Sequence, residues 1–379
     1  MNFLLFIYFI LQIPQFSATF LSQKSELNEY SQEYNALITW MTNNGAYVSP
    51  KFKPIENDIH NRYIITTEKI DKKEEILFVP NNICISYVHP IINPLCRPVG
   101  WYEEPDTLFD CLFYYFTIDQ FNTKSFFAPY YDYLPSLDFN DFIMGYPKTP
   151  ENQKLFALTQ LESEINSFEY HFSETKKRLQ RLLPEQITDE QLAVNFLFVA
   201  SRNFGRGGSR IFSELNNLVP YLDLFNHYNN KNTKYYYNDQ RQGYVLFAAR
   251  DIMPGEEVTV SYGQKSNRHL LGVYGFALEN NQYKSSYTLS IRNEILFMSS
   301  YEKPQVKIMN LVNRKNNEIN EEKKEILLEL KNELKIRLDG LDEIGKNYTI
   351  KNIKIAIDDV REVYESYYKE VDNILNKWK

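Results

Sequence analysis

Two segments far apart in this chain share one grammar, and that repetition constrains the fold more than any other feature. Residues 63–67 (YIITT) lead through a polar stretch around Lys69, Asp71, Glu74 and Glu75 into residues 76–80 (ILFVP). Residues 244–248 (YVLFA) lead through Arg250, Asp251, Pro254, Gly255, Glu256 and Glu257 into residues 258–262 (VTVSY). Each unit is rich in β-branched and aromatic residues on both sides of turn chemistry, so each reads as a strand, a turn and a second strand. Two hairpin-like units this far apart mean that the β core is assembled from both sides of whatever lies between them.

What lies between has a different character. From about residue 106 to 200 the apolar residues take helical spacing, first in an aromatic run containing Phe109, Phe113, Tyr114, Tyr115 and Phe116, then through a Pro-bounded loop at residues 128–135, then over residues 152–183. A capped helix begins at Thr188-Asp189-Glu190-Gln191. The β domain is therefore expected to be split by a helical insertion. Before it, residues 29–44 read as a helix with Tyr34, Leu37, Ile38 and Met41 on one face and Gly45 as its terminator. After it, from Tyr301, the chain becomes Lys/Glu-rich and helical, with a stripe at Ile326, Leu327, Leu330, Leu334 and Leu338 that is expected to stop at Gly340. A last helix carries Ile357, Val360, Tyr364, Tyr367, Val371, Ile374 and Trp378 on one face. The fold class is α+β, closed by an all-helical C-terminal domain.

Composition narrows the partners. Of the 379 residues, 43% are hydrophobic and 24% charged, which suits a folded globular chain, and the net charge of -7 without any Lys/Arg-rich run gives no footprint for a phosphate backbone. Direct nucleic-acid binding is not expected. Cys84, Cys96 and Cys111 form no CxxC or CxC pattern and read as free thiols; the five histidines, His60, His89, His171, His227 and His269, lack ligand spacing, so no metal is expected. Gly205-Arg206-Gly207-Gly208 lacks the Lys-Ser/Thr of a phosphate loop and reads as a plain loop.

Residues 3–11 form an unbroken apolar run, too short to span a bilayer, followed by Ser17-Ala18-Thr19, where a leader could be cleaved; no Lys or Arg precedes the run. Residues 1–19 are read as a hydrophobic leader outside the fold. The expected compartment is the cytoplasm or nucleus, or the secretory pathway if the leader acts as a signal peptide, and membrane association is expected only if it is retained. The Asn347-Tyr348-Thr349 sequon matters only in the secretory case.

The densest chemical signal is a pair of segments, residues 217–227 (NLVPYLDLFNH) and 260–267 (VSYGQKSN). Taken singly, Asn226-His227 is a cap or buried polar pair, and Tyr262 before Gly263 is a strand-end aromatic. Their order is more specific. Ser201-Arg202-Asn203-Phe204, then Leu218-Val219-Pro220 through Asp223 to Asn226-His227, then Arg250-Asp251-Ile252 with Gly255-Glu256-Glu257, then Ser261-Tyr262-Gly263 with Lys265-Ser266-Asn267, then Tyr274-Gly275-Phe276 resembles the SET-domain protein methyltransferases. The branch it is similar to includes the plant RuBisCO large-subunit lysine methyltransferase and the actin histidine methyltransferase. The resemblance covers nearly everything after residue 26.

The resemblance implies a pseudoknot in which the segment bearing Tyr262 threads under the loop at Asn226-His227. It implies a SET domain over residues 26–283, with the insertion at about 106–200, and a helical substrate-binding domain over residues 284–379. It implies S-adenosylmethionine as methyl donor and a protein as substrate. By carry-over, Tyr262 is the catalytic tyrosine; His60, Asn61, Arg62, Arg202, Asn226, His227, Tyr274, Gly275 and Phe276 hold the donor; Phe204, Asp223 and Tyr262 line the substrate channel. For Asp223 a local turn or cap is the equal alternative. One departure stands out: the family's Gly-x-Gly is replaced here by Asn61-Arg62-Tyr63, and Tyr tolerates positive φ poorly. Three readings are carried forward: a lysine methyltransferase, a histidine methyltransferase on the same scaffold, and a protein-binding module that no longer turns over.

Overall fold

The computed structural model describes residues 31–58, 61–87, 89–96, 105–135, 137–205, 217–292, 294–301, 303–313 and 321–378. The leader at residues 1–19 lies outside them. Helix α1 (Gln32–Asn43) starts where Ser31 Oγ accepts the Tyr34 N–H at 3.1 Å, and it buries Tyr34, Leu37 and Met41. Short strand β1 (Tyr47–Val48) and strands β2 (Phe52–Asp58), β3 (Asn61–Thr66) and β4 (Glu75–Pro80) follow.

The repeated units do not fold as two hairpins. They pair with each other. Strand β4 lies antiparallel to β9 (Gly243–Ala248), from Glu75 opposite Phe247 to Pro80 opposite Gly243, in a four-stranded sheet of order β1-β4-β9-β8, with β8 at Thr233–Asn238. Strand β3 pairs with β2, and on its other side Val258 N–H donates to Ile64 O at 2.7 Å while Thr66 N–H donates to Glu256 O at 3.0 Å. Even the turns pair: Ile70 and Ile252 exchange both backbone bonds at 3.0 and 2.9 Å. The connecting segments are too long for a two-residue hairpin turn, so each strand's edge is satisfied by the other unit instead. Ile76, Leu77, Phe78 and Val79 are all buried, which accounts for the unbroken apolar run in the sequence.

The segment after Glu257 is the threaded one. It lies against β3 on one side; on the other, Val260 N–H donates to Asn226 O and Tyr228 N–H donates to Val260 O, both at 3.0 Å. The chain between β3 and the loop at 226–228 is thus clamped from both sides, which is the pseudoknot the resemblance implies.

The insertion comprises α2 (Pro105–Asp119), α3 (Ala128–Tyr133), α4 (Pro150–Thr159), α5 (Glu162–Leu179) and α6 (Asp189–Arg202). The Pro-bounded loop is in fact α3, because Pro129 sits in the first turn where its missing N–H costs nothing. The stretch at 152–183 is broken by Gln160 in the left-handed region at φ 55°. Helix α6 has the expected capping box, with Gln191 N–H to Thr188 Oγ1 at 3.2 Å and Thr188 N–H to Gln191 Oε1 at 2.9 Å. Its aromatics fill a core, as in the Phe116–Phe198 stack at 4.7 Å. Cys111 in α2 is disulfide-bonded, against the expectation of free thiols, while buried Cys84 keeps its thiol, which donates to Pro80 O at 3.5 Å.

Two pairs of short strands, β5 (Ile85–Ser86) with β7 (Asn217–Leu218) and β6 (Asn203–Phe204) with β7, tie the end of α6 to the motif that follows. The C-terminal region opens on a hairpin the sequence reading did not contain, β10 (Tyr287–Ile291) with β11 (Glu294–Met298). It continues as α7 (Pro304–Val312) and the long helices α8 (Glu321–Asn347) and α9 (Lys351–Lys377). Helix α8 does not stop at Gly340. That glycine lies where α4 crosses, and a Cβ there would stand 3.0 Å from Leu158 Cδ1, so it serves close packing rather than termination. Leu155 and Leu161 of the insertion sit in the same core as Leu330, Leu334, Val360 and Tyr364. No helix among the described residues is long and apolar enough to cross a membrane.

Because that core is shared, Leu155→Ala should cost about 2–5 kcal/mol and the C-terminal helices should unfold in the same transition as the rest. Denaturant unfolding followed by circular dichroism checks this; a separate C-terminal transition would contradict it.

Candidate functional site

Four segments meet at one place: the end of α6, the loop at 219–227, the threaded segment, and the turn at 270–276. The local geometry of the second is unusual. Tyr221, fully buried, takes φ 69° and ψ -37°, a tight turn that a bulky residue adopts at a cost of order 1–3 kcal/mol. Its hydroxyl is held by Tyr34 at 2.8 Å and its ring stacks on Phe52 at 6.1 Å. This turn aims the single helical turn at Leu222–Leu224 so that Asp223 points inward.

Asp223 is buried and accepts the Tyr130 hydroxyl on Oδ2 at 2.7 Å, with Arg202 Nε 3.8 Å from the same oxygen. Burial pushes its carboxyl up to about 6, and the Arg202 charge holds it from going further. The Arg202 guanidinium lies over the Phe198 ring at 4.5 Å. Two buried atoms of this pair, Arg202 Nε and Asp223 Oδ1, have no hydrogen-bond partner. The Asp223 side chain thus does more than cap its own turn: it bonds Tyr130 on α3 and pairs with Arg202 on α6.

His227 Nδ1 accepts the Tyr262 N–H at 3.1 Å, which makes Nε2 the protonated nitrogen, buried and without a well-formed hydrogen bond, with the Asn229 side chain nearby. Burial lowers its pKa, so the ring stays neutral. Tyr262 donates its hydroxyl to Phe225 O at 3.0 Å and stacks between His227 at 5.1 Å and Tyr274 at 5.0 Å. Its hydroxyl pKa is pushed well up by burial, so it is a neutral phenol across the physiological range. Phe276 completes the box, 6.3 Å from His227 and 6.4 Å from Tyr262. Tyr274 arrives there on a π-helical turn, Leu270–Tyr274, whose Gly272 packs on Glu164 so closely that a Cβ would lie 2.9 Å from the Glu164 Cβ. Gly275 then reverses the chain at φ 77°.

Most of the residues implied by the resemblance are therefore brought together: Arg202, Asp223, His227, Tyr262, Tyr274, Gly275 and Phe276. Asn226 sits at the edge, its side chain donating to Arg62 O at 3.1 Å and Glu257 Oε1 at 2.9 Å. Arg62 joins through its carbonyl; its guanidinium turns away to Tyr133, over whose ring it lies at 4.8 Å. His60 lies outside the described residues, as does the Asn61 side chain. Tyr63, in place of a glycine, lies in regular β3 opposite Ile55, where extended backbone suits any residue, so the anticipated strain at positive φ does not arise.

Tyr235 on β8 is a site residue the sequence reading missed. It packs edge-on against the buried Phe204 at 5.5 Å, and its hydroxyl is near enough to help burial push Tyr274 up to about 12. Phe204 and Tyr235 thus form an apolar wall beside the Tyr262 box. The only sequence signal was the Tyr235-Tyr236-Tyr237 run, whose alternation turns Tyr236 outward. Tyr130, from the insertion, was likewise seen only as part of a loop. Among the described residues no group of three or more His, Cys, Asp or Glu side chains is arranged to hold a metal ion.

Comparison with known proteins agrees with this fold. The family model described as SET domain matches residues 61–263. An actin-histidine N-methyltransferase from Papio anubis is 24% identical over 261 residues, covering 65% of this chain and 42% of the relative, so the chain spans less than half of that protein's length. The solved structure of Rubisco LSMT bound to sinefungin and monomethyllysine superposes with a TM-score of 0.65 at 16% identity, covering 92% of each chain. Rubisco LSMT bound to AdoMet gives 0.64 at 17% identity over the same share. At such identities the likeness is one of fold.

The buried Asp223 makes a prediction about pH. An acid whose pKa is raised on folding stabilises the protein while protonated, and that contribution is lost as pH rises through about 6. Relative to Asp223→Asn, the wild type should therefore lose roughly 3 kcal/mol of stability between pH 3 and pH 8. Urea titrations of both proteins across that range check it, and parallel profiles would contradict it.

Proposed function

The chain belongs to the SET-domain family, and from that premise we propose that it transfers a methyl group from S-adenosylmethionine to a side chain of another protein, with lysine as the target. One observation carries the reading: the Tyr262 hydroxyl, fixed on Phe225 O, stands beside Arg202, Asp223 and His227, each of which has a buried polar atom without a hydrogen bond in this structure. Buried polar atoms left without partners are costly, and a site that collects three of them is built for a polar ligand.

The residues fit the donor. A guanidinium N–H at Arg202 suits its carboxylate, the free His227 Nε2–H suits an acceptor, and the Phe276 face suits adenine. When bound, the donor supplies an electrophilic methyl on a sulfonium cation. The protein's own contribution is orientation. Because the Tyr262 hydroxyl spends its proton on Phe225 O, its oxygen lone pairs are left to accept from the incoming amine and to face the positive charge. Because burial keeps that hydroxyl neutral, it orients rather than deprotonates. A lysine near 10.4 in water sheds its proton more readily when desolvated beside a cation, so no dedicated base is required.

Lysine is preferred over histidine because the wall beside the box is Phe204 against Tyr235, which packs on an aliphatic stem, whereas an imidazole needs a polar partner at its second nitrogen. We assign capture of the protein substrate to residues 284–379.

Arg202→Ala should weaken S-adenosylmethionine binding more than tenfold, measured by calorimetry; unchanged affinity would remove Arg202 from the donor site. Tyr262→Phe should keep donor affinity and lower turnover roughly a hundredfold, about 2.7 kcal/mol of transition-state stabilisation. The assay is transfer of labelled methyl to cell lysate, with modified residues read by mass spectrometry. Methyllysine supports the proposal, methylhistidine corrects the target, and a wild type that binds no donor leaves a binding module.

A further inference from the structure

The turn that carries Tyr274 and Phe276 does not hold itself in place. From Ala277 to Ser286 the backbone forms no helix or strand, so its polar groups must find partners elsewhere. Many come from the C-terminal region. On α9, Asn352 accepts the Ala277 N–H on Oδ1 at 3.1 Å and donates from Nδ2 to Gly275 O at 3.2 Å, so one amide brackets Phe276 on both sides. Two helical turns later, on the same face, Asp359 accepts Asn267 Nδ2 on Oδ2 at 2.8 Å and Lys284 Nζ on Oδ1 at 2.9 Å.

Asn267 is the last residue of the motif that begins at Val260, and it is fully buried. Besides Asp359 it donates to Leu278 O at 2.9 Å and accepts Leu278 N–H at 2.8 Å and Asn281 Nδ2 at 3.0 Å. Asn281, also buried, donates to Lys265 O and accepts Asn229 Nδ2, both at 2.9 Å, and Asn229 lies two residues past His227. A continuous line of hydrogen-bonded side chains, Asn229, Asn281, Asn267 and Asp359, therefore runs from the loop of His227 to the middle of α9, the last three of them buried. Asn267 and Asn281, buried with both ends of each amide hydrogen-bonded, specify geometry, since each lost partner strands another group.

We infer that α9 is a positioning element of the donor site: Asn352 and Asp359 fix residues 265–283, and with them Tyr274 and Phe276, against Tyr262 and His227. The inference rests on the methyltransferase reading and gives the C-terminal region a second duty beside capture of the protein substrate. Asn352 and Asp359 act through the residues they hold, Gly275, Ala277, Asn267 and Lys284.

The test uses the full chain and four variants: Asn352→Ala, Asn352→Asp, Asp359→Leu and Asp359→Asn. Amide hydrogen exchange read at Ala277 needs no ligand. Asn352→Ala should lose at least tenfold of the wild-type protection there, while Asn352→Asp, whose carboxylate still accepts, should keep it. Affinity for S-adenosylmethionine should fall about tenfold in Asn352→Ala and Asp359→Leu, with the protein-substrate KM changed far less than turnover. Asp359→Asn, which keeps an oxygen for Asn267, should restore most of that affinity. Variants that melt lower yet keep Ala277 protection and donor affinity would overturn the inference and leave these contacts as simple packing. A wild type that binds no donor would sink the methyltransferase reading, and the exchange comparison alone would then decide whether α9 holds this turn.

Discussion

The whole arrangement depends on one clamp, the threading of residues 258–262 between β3 and the loop at 225–228. Val258 bonds Ile64 on one side, and Val260 bonds Asn226 and Tyr228 on the other. At its end the backbone N–H of Tyr262 is held by the His227 ring and its hydroxyl by Phe225 O. Both ends of one tyrosine are therefore fixed by two residues of another segment, Phe225 and His227. Nothing local to Tyr262 specifies this. The position of the hydroxyl is a property of the long-range topology, and the chemistry assigned to it needs that topology intact.

Around the clamp the protein accepts costs that a purely structural core would avoid. Tyr221 holds a tight turn at positive φ, Asp223 is buried with one oxygen unpartnered, and Arg202 and His227 keep buried N–H groups without acceptors. These are concentrated in one place, while the surrounding helical insertion and the C-terminal core are densely aromatic and aliphatic. Unpartnered buried polar atoms also occur elsewhere, at Trp40, Gln120, Arg268 and Ser285, but here three meet beside one tyrosine hydroxyl.

Residues that lie in ordered motifs were legible in the sequence: Arg202, Asp223, His227, Tyr262, Tyr274 and Phe276 all converge. The capping box at Thr188 and the amphipathic stripes of α8 and α9 were legible too, because their signals are local. The misreadings share one cause, tertiary contact. Strand type was correct for 63–66 and 76–80, but partner choice depends on a segment some 180 residues away, so hairpins were read where cross-pairing exists. Gly340 looks like a helix stop until α4 is seen to cross it, and the Tyr63 substitution looks strained until it is seen in an extended strand. Tyr130, Tyr235 and Asn352 reach the site from distant elements and carry no motif of their own. The free-thiol reading failed at Cys111 because spacing alone does not show which side chains meet.

The most direct test of this account is a crystal structure of the complex with S-adenosylhomocysteine. The account predicts ligand atoms within about 3 Å of Arg202 Nε or another guanidinium nitrogen and of His227 Nε2, with the ligand sulfur facing the Tyr262 hydroxyl. A ligand bound elsewhere, or one that leaves both of those N–H groups without partners, would contradict it.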